Sequence, residues 1–298
     1  MISLRHHLLT IVAVFLALAT GIVLGGGPLS DVGAKVTSVT TEETSADPQP
    51  GAASSTYGEA FAAAVGPSLV AGTLTDRQVA VVTVPGADEQ LVTALTDQVA
   101  AAGGSVTGRY ALTADMVDPA QKSLVDTLGS QLMTQQATRD IPAEASTYDR
   151  MGHLLGLAVA TTEPAGDDVT GKARAITEAV GGAALMESPE DVERRAPLVL
   201  VVLGTDAGDE GSDAILTGLS AGLAAAGVGV VVAGTTTDGA AGQLARFRAD
   251  PIAATVASVD GIDSAAGRVA AIRTLARSLT TQGGAFGASG ADGPLPLG

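Results

Sequence analysis

The 298-residue sequence contains no cysteine. This absence excludes disulfide bonds, Fe–S clusters, thiolate zinc sites and thiol nucleophiles, and it fits a protein that is exported. Tryptophan is also absent, and aromatic residues make up only 2% of the chain. A core must therefore close through many small aliphatic contacts. Because aromatic side chains are the platforms on which bases stack, we expect no nucleic-acid binding.

Basic residues are scarce as well. The chain has 16 Lys and Arg against 32 Asp and Glu, which gives a formal net charge of −16. Such a surface repels phosphate backbones and anionic lipid headgroups. It remains soluble, and it can attract cations or a basic protein partner.

The N-terminus carries a long apolar run at residues 8–24. At a rise of about 1.5 Å per residue the run reaches roughly 25 Å, which is enough to span a hydrocarbon core. Arg5 precedes the run and Lys35 is the next basic residue, so the N-terminus is expected inside and the bulk of the chain outside. We therefore predict that residues 1–27 form a short cytoplasmic segment and a single-pass anchor in the cell membrane.

The alternative is a cleaved signal peptide, because Ala17-Leu18-Ala19 resembles an A-x-A cleavage site. The apolar run continues to Leu24 instead of turning polar after that site, which favours an uncleaved anchor. Both alternatives place the remainder of the chain outside the cytoplasm.

Two short patterns near the predicted anchor favour association. Small residues that recur every four positions allow two helices to approach closely in lipid, and they predict a helix–helix interface. This stripe consists of Ala13, Ala17, Gly21 and Gly25. Beyond the span, a 3-4-3 spacing of apolar residues predicts the stub of a coiled coil. The stub consists of Leu29, Val32, Val36 and Val39, within a linker at residues 28–57 that becomes rich in Pro, Gly, Ser and charge.

The remainder alternates apolar runs with helical patterns. Predicted strands include residues 78–84, 105–112, 198–203, 228–233 and 253–259, and amphipathic patterns lie between most of them. Strands that alternate with helices predict an α/β domain with a mainly parallel sheet. We place this extracytoplasmic domain at residues 58–282 and predict, from composition, a disordered tail at residues 283–298.

Two motifs suggest chemistry. Residues 218–222 match G-x-S-x-G, but they lie within a helical pattern and no histidine follows His153, so an esterase is rejected. The loop at residues 204–211 follows a strand and precedes a helix, where α/β folds bind ligands. Its three carboxylates would repel phosphate, but together with Asp213 they are weak candidates for a divalent cation site. These candidates are Asp206, Asp209, Glu210 and Asp213, although Asp213 would more simply cap the next helix.

Soft ligands for copper are few and dispersed. Met151 and His153 are close in sequence, but residues two apart on a helix point in different directions and do not form a chelate. No set of nucleophile, base and orienting group can be assembled, so we expect no enzyme activity. No cofactor is evident from the residues.

Segments at both ends of the chain resemble the actinobacterial MctB family. These are residues 1–7 with the following apolar run, and residues 253–271, which include Asp260, Asp263, Gly267 and Arg268. The resemblance implies one N-terminal anchor, an extracytoplasmic α/β domain, and copper transport or copper homeostasis, in some members with outer-membrane channel activity. Corynebacterial relatives similar to SteB act with a partner, SteA, in controlling septal cell-wall hydrolysis and cell separation. Family members usually carry a long coiled coil after the anchor, which is reduced here to the stub.

Two functions therefore stay open. The residues favour a non-catalytic scaffold of the cell envelope that binds a protein partner, SteA-like in nature, or a second copy of itself. The resemblance favours copper transport or homeostasis, with copper as a cofactor and an outer-membrane location implied by the family alone.

Overall fold

The computed structural model describes residues 50–136, 141–142 and 144–296. The chain divides into two units, Met1–Ala53 and Ser54–Gly298, and the fold described is that of the second. The predicted anchor, its interface residues Ala13, Ala17, Gly21 and Gly25, and the coiled-coil stub Leu29, Val32, Val36 and Val39 lie outside the described residues. They stay predictions. Among the described residues, no helix combines the length and apolar character needed to cross a membrane.

Nine strands form one large sheet and one small ribbon within the described residues. They are β1 Gln78–Thr83, β2 Ser105–Leu112, β3 Asp167–Asp168, β4 Met186–Glu187, β5 Arg194–Arg195, β6 Leu198–Val202, β7 Gly229–Ala233, β8 Ala257–Val259 and β9 Ala285–Phe286. The large sheet has seven strands in the order β4-β2-β1-β6-β7-β8-β9, and β3 pairs with β5. All neighbours in the large sheet are parallel except β2 and β4. The predicted α/β fold with a mainly parallel sheet is confirmed.

Helices connect and cover the strands. They are α1 Pro50–Val70, α2 Glu89–Ala101, α3 Ala114–Val117, α4 Lys122–Gln135, α5 Thr147–Val159, α6 Gly171–Gly182, α7 Glu210–Ala226, α8 Thr236–Ala240, α9 Gln243–Ala249 and α10 Ala265–Arg277. Short 3₁₀ helices occupy Pro119–Gln121 and Pro251–Ala254. Between β2 and β6 the chain is mainly helical, with α3 to α6 in succession.

The sheet is buried on both faces, which explains the apolar runs of its central strands. All five residues of β6 are buried. Val199 and Val201 point into a core shared with α4 to α7 and α9. Leu198, Leu200 and Val202 point into the opposite core, shared with α1, α2 and α10. A parallel strand that is covered by helices on both faces is a continuous run of hydrophobic residues, whereas a half-exposed strand alternates hydrophobic and polar residues.

Helices α5 and α7 approach closely through glycine. A Cβ added at Gly222 would lie 2.1 Å from the backbone nitrogen of His153, and one at Gly152 would lie 2.4 Å from the carbonyl oxygen of Leu219. Gly218 and Gly222, the two glycines of the G-x-S-x-G match, therefore serve helix packing inside α7. The predicted helical context of the G-x-S-x-G match is confirmed, because residues 218–222 lie inside α7.

Three sequence predictions of local structure are wrong. Helix α1 begins at Pro50, inside the predicted linker. The strand predicted at residues 253–259 is shorter, because a 3₁₀ helix ends at Ala254 and β8 begins only at Ala257. The tail predicted to be disordered contains β9, which pairs with β8 through Ala285 and Phe286.

Candidate functional site

The strand order places a topological switch point between β1 and β6. From β1 the chain moves outward to β2, and it later returns to β6 and continues in the other direction to β7 and β8. In open α/β sheets ligands bind outside the carboxyl ends of the strands at such a point. The loops that follow β1 and β6 are therefore the first candidate for a binding site.

These two loops close the switch point by direct contact. The backbone nitrogen of Thr205 donates to the carbonyl oxygen of Pro85 at 3.0 Å. A Cβ added at Gly204 would lie 2.0 Å from that same oxygen, and one at Gly86 would lie 2.2 Å from Oγ1 of Thr205. Gly86 also has a φ of +82°, which favours glycine. The backbones of the two loops therefore meet at the switch point, where other doubly wound folds bind a nucleotide.

The acidic loop after β6 is held by an arginine from another helix. Arg246 of α9 donates from Nη2 to Oδ1 of Asp206 at 2.7 Å and from Nε to Oδ2 of Asp213 at 2.5 Å. Asp209 is the N-cap of α7 and accepts from the backbone nitrogen of Ser212 at 2.9 Å. The expectation that Asp213 caps this helix is wrong, because the helix begins earlier and Asp213 lies in its first turn.

These contacts favour the ionised forms of the groups involved. The hydrogen bond from Arg246 lowers the pKa of Asp206 below its ordinary value, and the hydrogen bond from Ser212 lowers that of Asp209. The carboxylates in turn raise the pKa of Arg246, chiefly through the hydrogen bond to Asp213. At neutral pH the cluster therefore consists of ion pairs and a helix cap.

An open cavity of about 370 Å³ lies beside this cluster. Its wall includes Arg246, Asp213 and Glu210, together with the polar side chain of Thr217 and the ring of Phe247. Within residues 50–136, 141–142 and 144–296, no group of three or more His, Asp and Glu residues is arranged to hold a metal ion. Asp206 and Asp213 thus bind Arg246, and a cation at the four candidate carboxylates stays a prediction.

The thioether and imidazole groups of the described residues have structural surroundings. Met116, Met151 and Met186 are buried in the core between the sheet and α4 to α7, and Met133 packs against that core. His153 lies on the same helix as Met151, and its Nε2 is 3.6 Å from Oδ1 of Asp149. Met151 is fully buried, whereas His153 borders a separate cavity. As expected from their spacing, the two side chains face different surroundings.

A second charged cluster lies at the carboxyl end of β8, in the segment that resembles the MctB family. Asp260 is fully buried and pairs with Nη2 of Arg248 at 2.9 Å. Ser289 donates to the other carboxylate oxygen of Asp260, from its backbone nitrogen at 2.9 Å and from Oγ at 3.0 Å. Arg248 also donates to Oγ of Ser258 and to the carbonyl oxygen of Phe286. The cluster joins α9, β8 and the C-terminal segment.

The other three residues of that segment also have structural contacts. Oδ1 of Asp263 accepts from the backbone nitrogen of Thr236, the first residue of α8, at 2.8 Å. Gly267 permits a close approach, because a Cβ there would lie 1.8 Å from the carbonyl oxygen of Gly261. Arg268 donates to the carbonyl oxygen of Ile262 at 3.0 Å. All four residues therefore shape the connection between β8 and α10.

This connection is also where α1 contacts the domain. The carboxylate of Glu59 accepts from the backbone nitrogen of Ala265 at 2.8 and 3.0 Å, and lies 3.6 Å from Nη2 of Arg268. Glu59 thereby satisfies one of the free N–H groups at the start of α10. The segment that resembles the family thus links the N-terminal helix to the sheet.

Sequence reasoning missed Arg246, Arg248 and Glu59. The two arginines stand in the short segment 243–249, which has too few turns to show a clear period. Because basic residues are few in this acidic chain, each arginine is expected to pair with a carboxylate, but the sequence does not identify which one. Glu59 contacts a residue 206 positions away, a separation that no local pattern reports.

The fold and these clusters define a three-layer, doubly wound α/β domain. The loops after β1 and β6 contact each other at its switch point, and ion pairs hold the loop after β6. Residues 1–296 match the family described as “Copper transport outer membrane protein, MctB”. Proteins named “Copper transporter MctB” from Mycobacterium tuberculosis and Mycobacterium bovis are 33% identical over 310 aligned positions, covering 92% of each chain. The Mycobacterium leprae protein of that name is 32% identical over 307 positions, covering 91% of each. The chain belongs to the MctB family.

Proposed function

We propose that this protein serves copper transport or copper homeostasis at the cell envelope and does so without catalysing a reaction. The observation that carries the proposal is the family match over residues 1–296, together with relatives of that name that align over 92% of both chains. A match of this extent covers the whole fold, including the segment around Asp260.

We further propose that the described domain contributes through protein contacts and does not ligate copper itself. Cu(I) favours cysteine and methionine ligands. This chain has no cysteine, and Met116, Met151 and Met186 are buried among apolar side chains. His153 faces the carboxylate of Asp149. Support for a non-catalytic role comes from the G-x-S-x-G match, whose glycines pack α7 against α5.

For its location we propose a single-pass anchor in the cell membrane with the acidic domain outside, on the basis of the apolar run at residues 8–24 and the charge before it. The outer membrane named in the family description is the alternative. Separating the two membranes and probing each for the full-length protein distinguishes these locations.

The test of the main proposal is copper tolerance in a strain that lacks the protein. We expect growth to fail at lower copper concentrations than in the parent, and both the wild-type gene and a His153→Gln variant to restore it. Failure of His153→Gln alone, at normal protein abundance, would instead identify the domain as a copper ligand. Unchanged copper tolerance in the deletion strain would reject the proposal.

The second candidate is the envelope scaffold that the residues alone favour, in its SteB-like form with a SteA-like partner. The relatives are named as copper transporters, which supports the first candidate over this one. The observation that favours a scaffold is the exposure of Tyr57 and Phe61 on one face of α1. Chains of unseparated cells with normal copper tolerance would select the scaffold, and copper sensitivity with normal separation would select copper homeostasis.

A further inference from the structure

Helix α1 packs on the domain through only one of its faces. Glu59 contacts the start of α10, a Cβ added at Gly66 would lie 2.9 Å from Cγ2 of Val269, and Val70 is fully buried. Since an α-helix turns about 100° per residue, positions 59, 66 and 70 fall within about 40° of one another. They define the inner face of α1.

The opposite face presents a stripe of aromatic and small side chains to solvent. It consists of Tyr57, Phe61, Ala64 and Ser68, which we call the outer stripe, and all four are exposed. These positions cluster about 180° away from the inner face. Tyr57 is 72% exposed and Phe61 is 55% exposed. Their rings stack with centroids 6.3 Å apart.

This exposure is unusual within the described part of the molecule. The other described aromatic residues, Tyr110, Tyr148, Phe247 and Phe286, are each 7% exposed or less. Of the large hydrophobic side chains that are exposed there, Tyr57, Phe61 and Leu69 lie on α1 and Leu124 lies on α4. A surface helix normally turns polar residues outward, whereas a helix that is apolar on both sides is typically covered on both.

Charge restricts what can cover the outer stripe. Helix α1 contains no Lys or Arg, and its one acidic residue, Glu59, is engaged on the inner face. The chain as a whole carries a formal charge of −16, so most surfaces of two copies repel each other. The outer stripe is an area where two copies can meet without that repulsion.

The spacing of the residues in the outer stripe also favours a second copy of this chain. Tyr57, Phe61, Ala64 and Ser68 follow a 4-3-4 pattern, which is the seam of a two-stranded coiled coil. Large rings at two positions and small side chains at the other two provide the knobs and the room for close packing. If the proposed anchor precedes α1, two copies in one membrane would both enter α1 from its N-terminal end, which favours a parallel pair.

We propose that the outer stripe of α1 pairs in parallel with the outer stripe of a second copy of this chain. The contact is isologous, with the same residues on both sides of a two-fold axis. It leaves Glu59 and the inner face on the domain of each copy. The pairing surface lies on α1, the parallel direction rests on the proposed N-terminal anchor, and neither depends on copper.

Single-cysteine cross-linking tests this pairing directly, because the natural chain has no cysteine. The full-length protein in its native membrane carries either Ala64→Cys, on the outer stripe, or Ala63→Cys, which is also exposed but points about 130° away from the stripe. A short bis-maleimide is the cross-linker. We expect Ala64→Cys to form covalent dimers at least about tenfold faster than Ala63→Cys. Equal rates, no dimer from Ala64→Cys, or its cross-linking to a different protein would each overturn the proposal.

A second variant separates pairing from folding. Tyr57→Ser with Phe61→Ser in the Ala64→Cys background should lower dimer formation at least about tenfold, with the unfolding temperature unchanged because both rings are exposed. Leu124→Ser, at an exposed leucine on α4, is the matched control and should leave dimer formation unchanged. Retention of the dimer in the Tyr57 and Phe61 variant would overturn the proposal.

Discussion

Arg246 and Arg248 stand two positions apart on helix α9 but hold two very different charge clusters. The side chain of Arg246 is 37% exposed, and its partners Asp206 and Asp213 are also partly exposed. The side chain of Arg248 is 11% exposed, and its partner Asp260 is fully buried. One helix thus contributes an ion pair at the surface and an ion pair in the interior.

The comparison assigns different roles to the two clusters. An exposed pair gains little, because water and salt screen it. Removing one partner of a buried pair is costly, because the remaining charge is left in the interior without water or a counter-ion. Asp260 of the buried pair lies in the segment that carries the family resemblance, so we expect substitutions there to destabilise the fold. At the exposed cluster beside the open cavity we expect substitutions to be tolerated.

The largest expected effect is at Asp260. Asp260→Asn removes the counter-ion of Arg248 and should lower the free energy of unfolding by about 3–5 kcal/mol. Urea denaturation of the purified protein measures this loss. The matched control, Asp213→Asn at the exposed cluster, should lose less than about 1 kcal/mol. Equal losses in the two variants would show that the buried pair stabilises the fold no more than the exposed cluster does.

A smaller effect is expected where the C-terminal segment reaches the buried pair. Ser289→Ala removes the Oγ hydrogen bonds to Asp260 and from Arg248, while the backbone hydrogen bond is kept. We expect a loss of about 1–2 kcal/mol in the same denaturation experiment. Ser289→Thr keeps the hydroxyl and is the control that should retain most of the stability. If the alanine variant were as stable as the wild type, the segment would not be holding the pair.

The exposed arginine should matter least of the three. Arg246→Met, which keeps much of the aliphatic stem, should lower the free energy of unfolding by less than about 1 kcal/mol at low salt. That difference should vanish in concentrated NaCl, because salt screens surface charges. Denaturation curves at low and high salt measure both effects. A larger loss that persists in high salt would show that Arg246 behaves as a buried residue.

The central sheet was predictable because burial on both faces requires uninterrupted apolar residues in its strands. Leu198 to Val202 are uninterrupted apolar residues, and the structure makes them the fully buried strand β6. Helix α2 was predictable for a related reason, since Val92, Leu95 and Val99 recur at helical spacing on its buried side. The family resemblance, read from the two ends of the chain, is confirmed by the match along its length.

The clusters were not predictable, because their order comes from distant contacts. The C-terminal segment is rich in glycine, which by composition predicts disorder. In the structure Gly283, Gly284 and Gly287 adopt positive φ, and Gly287 approaches Asp260 too closely to allow a Cβ. Glycine there allows the chain to fold over a buried carboxylate. This role of the glycines becomes apparent only once the structure shows where Asp260 lies.

The smallest expected effect is a change in acid sensitivity at Asp209. Its pKa is lowered from the ordinary 3.8, chiefly by the hydrogen bond from Ser212. A carboxyl group with a lowered pKa in the folded state contributes stability that is present above the unfolded pKa and is lost as the pH falls through the folded pKa. Asp209→Asn keeps a good N-cap but cannot titrate. We therefore expect near wild-type stability at pH 7 and a shallower loss below pH 4, measured by denaturation across that range. Asp209→Ala should be less stable at every pH, because it also loses the cap, and an unchanged acid response in Asp209→Asn would show that this carboxylate does not stabilise α7.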